Sequence, residues 1–477
     1  MTIWSPAWSR HRPLRRPSRG FRTSGRMPDP KTIPYDPLTA TGPRAGLPLP
    51  DSYWAATAGP QPEDDGVFQT DREVDVAIVG GGYTGLSAAY HLARNHGAAV
   101  AVLEAHVPGW GCSGRNGGSV RPGIGRVPLR KWFEHWGAEN AHALFEEQLA
   151  AVRTLRTLIA DGNIDCDVQD EGTLRVAHNP GSVAGLDSDH RLMTETFGYG
   201  AELLDASEIE QNYFRSREAY GALKFPDGLG VHPLKLGQGV LRMARGAGAS
   251  VYRSSPVLGW QSDDDGFVVQ TSGAGLRAKH IIIATNGYTG DALHPSLKHR
   301  TLPVLSNIMV TRPMTSEEKA ATNFISTAPV SDTRHVLFYY RRLPDDRLMI
   351  GGRGPINERA ADAPKWKDNL LNAVAKKFPA LSSLSLDYYW AGWVCLPYDS
   401  SPHVHHLDEF PNVWFSLGYC GIGVAPALHF GSLLAERIGG DKAIPQALAR
   451  PIPQFPMARL RRLGQRAMYA WYQIKDG

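Results

Sequence analysis

Cysteine is scarce in this chain. Four occur in 477 residues, Cys112, Cys166, Cys395 and Cys420, far apart and without a C-x-x-C pair. That excludes a disulfide framework and a cysteine-held structural zinc site, and it fits a reducing, cytoplasmic setting. Apolar runs are short: none approaches the ~20 residues of a bilayer span, so no integral membrane segment is expected. Net charge is small, +4, with basic residues gathered towards the two ends, so nucleic acid is not expected as a partner. Histidines cluster only at His403, His405 and His406, in a Pro/Asp/Ser-rich turn without supporting acids, so no metal site is expected. No internal repeat occurs. Acids are missing before Asp29, where residues 1–30 are rich in Arg, Pro and Ser. This stretch reads as a disordered basic tail, or as sequence upstream of a start at Met27. Arg15-Arg16 would suit a twin-arginine signal, but no apolar h-region follows, and the prolines oppose the amphipathic helix of a transit peptide.

What is present is a 42% hydrophobic composition, enough for a sizeable core, and one strong motif. The apolar run 74–79 leads into Gly80-Gly81-Gly82-Tyr83-Thr84-Gly85, then a helical pattern, a second apolar run at 99–103, and Glu104. Glu104 stands 19 residues beyond Gly85, near the ~20 of a dinucleotide-binding βαβ unit. Gly80 permits the tight turn, Gly82 lets backbone approach a pyrophosphate, and Gly85 lets helix pack closely on strand. The helix N-terminus offers free N–H groups and a positive dipole end, and Glu104 offers an acceptor for ribose hydroxyls.

Three features favour FAD over NAD. The unit lies early in a long chain. The strand ending Ile283-Ala284-Thr285-Asn286-Gly287 supplies another close approach, and Gly418-Tyr419-Cys420-Gly421-Ile422-Gly423-Val424 offers a second helix N-terminus. Gly246-Ala247-Gly248 and Gly273-Ala274-Gly275 lack a third glycine, so no separate nicotinamide fingerprint exists and electrons come from an organic substrate. Just beyond Glu104, the loop Gly111-Cys112-Ser113-Gly114-Arg115-Asn116-Gly117-Gly118 lies where a dinucleotide continues towards its redox ring; Ser113, Arg115 and Asn116 are candidate donors to pyrophosphate or ring oxygens.

In these motifs, and in Gly351-Gly352-Arg353, the chain resembles the D-amino-acid oxidase/glycine oxidase superfamily of amine-oxidising flavoproteins, and within it the gamma-glutamylputrescine oxidase-like branch. The likeness runs from about residue 75 to 440. It implies non-covalent FAD, bound by Gly80, Gly82, Tyr83, Thr84, Gly85, Glu104, Ser113, Gly114, Arg115, Asn116, Gly117, Gly118, Val257, Thr285, Asn286, Gly418, Gly421, Gly423 and Val424. It also implies oxidation of a primary or secondary amine, by hydride transfer to flavin N5 and hydrolysis of the imine, with O2 or a carrier as acceptor. Two rivals stand beside it: a flavin dehydrogenase of a non-amine substrate feeding a quinone or carrier, and a nucleic-acid-associated flavoprotein.

The expected fold is α/β: a Rossmann-like FAD-binding domain with a mainly parallel sheet, and an α+β substrate domain on a mixed or antiparallel sheet. The FAD-binding domain is expected to be discontinuous, from residues 73–150, 215–295 and 386–440. Residues 151–214 and 296–385 would form the substrate domain, 31–72 an N-terminal arm, and 441–477 a C-terminal tail helix packed on the body. No catalytic residue is identified. Tyr339, Tyr340, Trp390 and Trp393 are candidate pocket walls able to hold an alkylammonium group by cation–π attraction, and Arg353 is a candidate clamp for a carboxylate. Relatives often carry a polar or basic residue just after the Trp-x-Gly of a late strand. Here that residue is Trp393, which makes a simple α-amino acid substrate less expected.

Overall fold

The computed structural model describes residues 35–476. The expected basic tail, and the start of the arm, lie outside the described residues. Two eight-stranded sheets organise the rest. In the first, the strands Phe410–Leu417, Gly275–Ile283, Arg72–Val79, Val100–Leu103 and Ser250–Tyr252 run parallel in that order. His403–Leu407 adds antiparallel at one edge, and the hairpin Val257–Asp263/Gly266–Thr271 pairs antiparallel with the start of Gly275–Ile283. Its central strands are apolar without alternation because both faces are covered. Ile78, Val102 and Ile282 are fully buried towards the helices Tyr83–His96, Trp132–Asp161, Pro233–Gly246 and Val424–Gly440. Ala77, Ala101 and Ile281 face the opposite layer, with Phe267 and Val269 of the hairpin.

The second sheet is mixed. Its order is Leu386–Leu396, Leu302–Pro313, Arg347–Arg353, Tyr339–Arg342, Val330–Asp332, Thr173–Val176, Ala222–Phe225 and Glu202–Leu204, with Val330–Asp332 and Thr173–Val176 the one parallel pair. The helix Pro364–Lys377 buries Leu370 and Val374 against Met309, Leu348 and Ile350. Each such aliphatic side chain contributes ~1.5–3 kcal/mol when removed from water.

The two-sheet plan is the expected one, but several boundaries fall elsewhere. Leu386–Leu396, expected with the nucleotide-binding part, pairs in the second sheet instead. Its long ladder, from Leu396 opposite Leu302 to Leu386 opposite Thr311, needs a strand of similar length, and Leu302–Pro313 provides it. Ala222–Phe225, expected in the same part, is held by Thr173–Val176 and Glu202–Leu204. The helix Trp132–Asp161 crosses the expected boundary at 150. In the tail, only Arg461–Lys475 is α-helical, following a short turn at Ala458–Leu460.

Candidate active site

The strand Arg72–Val79 delivers the chain to a turn at Gly80, whose φ of +108° suits glycine and whose added Cβ would sit 3.0 Å from the Ala284 carbonyl oxygen. At Gly85 a Cβ would fall 2.0 Å from the Gly80 carbonyl oxygen and 3.1 Å from Ile78 Cγ2, so helix and strand meet there backbone to backbone. Glu104 follows the strand Val100–Leu103. Its Oε2 accepts from Gly81 N at 2.7 Å and its Oε1 from His106 N at 2.9 Å. Burial pushes this carboxyl up, against the pull of the His106, Gly81 and Ala105 N–H groups. The helix Tyr83–His96 has Gly82 as N-cap and so no cap from its own chain position; Ser113 Oγ accepts from Tyr83 N at 2.9 Å instead. The Ser113 hydroxyl proton is thus available to donate at the point where the helix dipole favours an anion.

Ser113 lies in the short turn Cys112–Gly114. The neighbouring polar side chains are committed to the loop itself. Arg115 donates through Nε and Nη2 to Trp110 O and through Nη1 to Ala391 O, with its guanidinium 4.2 Å over the Trp110 ring. Asn116 Nδ2 donates to the carbonyls of Cys112 and Ser113, and its Oδ1 accepts from Gly118 N. The two side chains expected as cofactor donors shape the loop and also line the cavity beside it. Gly85, Gly114, Gly118 and Gly418 do not line the cavity. They are packing positions: a Cβ at Gly114 would lie 2.4 Å from Gly109 O, and one at Gly418 2.3 Å from Pro397 Cγ.

The late glycine segment closes the same space. Asn286 Oδ1 accepts from Gly418 N at 3.0 Å, tying the end of Gly275–Ile283 to the loop before the helix Val424–Gly440. The Tyr419 hydroxyl bridges Thr84 Oγ1, at 2.6 Å, and Ser416 Oγ, at 2.7 Å, joining the first residues of one helix to the approach of the other. Gly80, Gly82, Tyr83, Thr84, Glu104, Ser113, Arg115, Asn116, Gly117, Val257, Thr285, Asn286, Gly421, Gly423 and Val424 all face one cavity of about 1390 Å³. Ordinary small-molecule sites span roughly 300–1,000 Å³, so this volume suits a dinucleotide with a substrate chamber beside it. Two helix N-termini without side-chain caps of their own, a glycine turn with no room for a Cβ and a buried acid beyond the second strand fit FAD.

At the far end Tyr339 and Arg353 line the cavity, as do Arg121, Arg126, Tyr288, Tyr469 and Tyr472. The Tyr339 ring lies against the glycine-rich loop 111–118, where a Gly117 Cβ would come within 2.9 Å of it, and its hydroxyl is 3.0 Å from Ser306 Oγ. Arg126 Nε donates to Cys420 O at 3.1 Å; burial and the nearby Arg353 charge bring Arg126 down to about 9, still cationic at neutral pH. Among the described residues neither Arg126 nor Arg353 forms an ion pair with a carboxylate.

Three expected pocket walls are elsewhere. Tyr340 points into the second core, among Phe214 and Phe378. Trp390 donates from Nε1 to Arg115 O and packs against Trp54. Trp393 is 1% exposed, with its ring under the Arg462 guanidinium. Sequence reasoning missed Arg126 and the tail tyrosines. Arg126 ends a Gly123-Ile124-Gly125-Arg126 stretch that continues the glycine-rich loop, which is a weak signal. Cys112 donates its thiol to Trp393 O, and burial pushes that thiol up to about 11, which keeps it protonated and unsuited to covalent attachment. No cluster of metal-ligating side chains occurs among the described residues, and His403 Nε2 instead meets Asp399 Oδ1 at 3.1 Å.

A glycine-turned βαβ unit, a second helix N-terminus and an adjoining chamber define a flavin-dependent oxidoreductase. The chain belongs to the FAD dependent oxidoreductase family (DAO), which it matches over residues 75–437. It is similar to the gamma-glutamylputrescine oxidoreductase of Escherichia coli (strain K12), 34% identical over 427 residues that cover 89% of this chain and 98% of that one. It is also similar to the glycine oxidase of Bacillus licheniformis, 24% identical over 386 residues, covering 78% of this chain and 94% of that one. Among solved structures, the glycine oxidase from Geobacillus kaustophilus shares the fold at a TM-score of 0.66 and 21% identity, covering 80% of this chain and 100% of that one.

Proposed function

We propose that this FAD-dependent oxidoreductase oxidises the C–N bond of a primary or secondary amine that also carries a carboxylate. The observation that carries this reading is the pair Arg126 and Arg353, two guanidinium groups lining the dinucleotide cavity without a carboxylate among the described residues to neutralise them. A desolvated cation such as Arg126 calls for an anion, and the planar guanidinium suits a carboxylate. The names of the relatives, a putrescine-derivative oxidoreductase and glycine oxidases, support an amine donor.

Bound FAD would supply the hydride acceptor, leaving an imine that water hydrolyses. The pyrophosphate would be held by the backbone N–H groups at the start of Tyr83–His96 and Val424–Gly440 and by the Ser113 hydroxyl, and the ribose by Glu104. Arg126 and Arg353 would anchor the carboxylate, and Tyr339 would wall the amine against the loop at Gly117. The orientation is the protein's main contribution, since a fixed carboxylate sets how far the reacting carbon stands from the ring.

The test is anaerobic bleaching of the flavin across a panel of alkylamines, diamines and amino acids with amine and carboxylate at increasing separation, followed by admission of air. Bleaching by carboxylated amines supports the reading, and recovery of colour in air distinguishes O2 from a carrier as acceptor. Bleaching by hydroxy acids and by no amine would refute it.

A further inference from the structure

The helix Arg461–Lys475 carries two faces. Arg461, Gln465, Met468, Tyr469 and Tyr472 point inward. Arg461 pairs with Asp291, Tyr472 stacks on His335 at 4.9 Å, and Asp476 just beyond accepts from His335 N and Val336 N. This face is anchored to the body and borders the candidate-site cavity. The other is exposed. Leu460, Leu463, Trp471 and Ile474 are spaced so that they fall on one stripe about 80° wide at 100° per residue. They are 51%, 60%, 55% and 77% exposed, and Met457, just before them, is 77% exposed; Met457, Leu460 and Leu463 also border the candidate-site cavity, whereas Trp471 and Ile474 lie clear of it. Five of the twelve exposed large apolar side chains among the described residues therefore lie within 457–474. Random surface leucines are ordinary; a row of this kind is an interaction surface.

Charge identifies what it fits. Residues 442–475 contain no Asp or Glu and seven Lys or Arg. Of these, Arg459 and Arg466 are exposed along one side of the stripe and Lys475 along the other. Lys475 lies 5.1 Å over the Trp471 ring. A second copy docking by a two-fold axis would set this row against itself, cation facing cation, with no acid in the segment to pair them. An anionic bilayer satisfies both halves of the surface: acyl chains for Trp471 and Ile474, and lipid phosphates for the flanking cations. No helix among the described residues is long and apolar enough to cross a membrane, so the contact is peripheral. We propose that the outer face of this C-terminal helix docks the enzyme on an anionic lipid surface.

The experiment is co-sedimentation of the full-length, FAD-loaded protein with vesicles of equal phosphatidylglycerol and phosphatidylcholine, and with phosphatidylcholine alone. Binding to the anionic vesicles is expected to be about tenfold to a hundredfold stronger, and to be lost in molar salt. Trp471→Ser with Ile474→Ser, and separately Arg466→Glu with Lys475→Glu, should each lower it at least about tenfold while leaving the flavin spectrum unchanged. None of these side chains lines the cavity. Equal affinity for both vesicle types, absence of binding, or binding that survives both variants would overturn the proposal. So would dimerisation in sedimentation velocity that the Trp471/Ile474 variant abolishes without any vesicle binding by the parent, which would make a second copy the occupant.

Discussion

Replacing Gly85 by alanine should loosen FAD while leaving the fold recognisable. The added Cβ would stand 2.0 Å from the Gly80 carbonyl oxygen, and ordinary contact begins near 3.4 Å, so helix and turn must separate by about 1.4 Å. The helix has little room to retreat. Behind it the helix Val424–Gly440 packs so closely that a Cβ at Gly431 would lie 2.5 Å from Thr84 O. Overpacking of this kind costs ~1–3 kcal/mol of stability. The functional cost is larger. Displacing the first turn by more than an ångström carries the N–H groups around Tyr83 beyond the ~3.2 Å at which a hydrogen bond to a phosphate oxygen is effective. Losing two bonds to a charged group, at ~1.5–3 kcal/mol each, weakens FAD binding by roughly two to four orders of magnitude. The assay is titration of apoprotein with FAD, read by flavin fluorescence, with thermal unfolding of apoprotein and holoprotein as control. An FAD affinity within about threefold of wild type, with unchanged melting of the apoprotein, would show that the Gly80–Gly85 contact does not position the cofactor helix.

The other expectations are more local. Ser113→Ala removes the acceptor for Tyr83 N, which as a lost cap costs ~1 kcal/mol and should weaken FAD about fivefold in the same titration. Acid precipitation should release all flavin into the supernatant, and Cys112→Ser should change nothing in that readout; flavin left on the wild-type pellet would contradict non-covalent binding. Arg353→Met should raise KM for a carboxylated amine at least about tenfold, with a smaller change in kcat, and leave alkylamines that lack a carboxylate unaffected. Lys377 is fully buried between Glu218, at 2.8 Å, and Asp332, at 2.9 Å, so Lys377→Met should cost ~3–5 kcal/mol in denaturant unfolding. Burial alone would raise Glu218, but Lys377 and Arg334 hold it down at about 2. Its contribution to stability is therefore complete above the unfolded value near 4.5 and is lost as pH falls towards 2. Wild type should show that acid-side loss and the Lys377 variant much less of it.

The nucleotide-binding half was legible because its constraints are local. Gly80, Gly82, Gly85 and Glu104 sit within one βαβ unit, where the glycine spacing is dictated by a turn and a helix contact a few residues apart. The unexpected placements need distant partners. Leu386–Leu396 joins Leu302–Pro313 across more than seventy residues of chain, and its apolar pattern would suit either sheet. The substrate chamber was hidden by strand parity. Adjacent residues of Tyr339–Arg342 face opposite sides, so Tyr339 reaches the cavity while Tyr340 reaches the core, and a shift of one residue in pairing would exchange them. Along Leu386–Leu396, Gly392 and Val394 face the cavity and Trp393 does not. Composition names the aromatics; only the register says which of them meet a ligand.

Arg115 and Asn116 show a different limit. A polar side chain in a glycine-rich loop beside a phosphate site reads as a ligand donor, and the reading ignores the loop's own backbone. Such a loop makes few repeating hydrogen bonds, and its carbonyls, once covered, need partners. Arg115 supplies them at Trp110 and Ala391, and Asn116 at Cys112 and Ser113. The consequence reaches the cofactor indirectly. Because Asn116 draws in the Ser113 carbonyl and Arg115 ties the loop to the strand Leu386–Leu396, the Ser113 hydroxyl is fixed over Tyr83 N. Arg115→Ala should therefore weaken FAD through the loop as well as at the stretch of cavity wall that Arg115 itself lines. It should also weaken it more than Ser113→Ala does, since the loop would lose its tie to the second sheet as well as its hold on the helix. Equal or smaller loss in the Arg115 variant would mean that the loop keeps its shape through Asn116 alone.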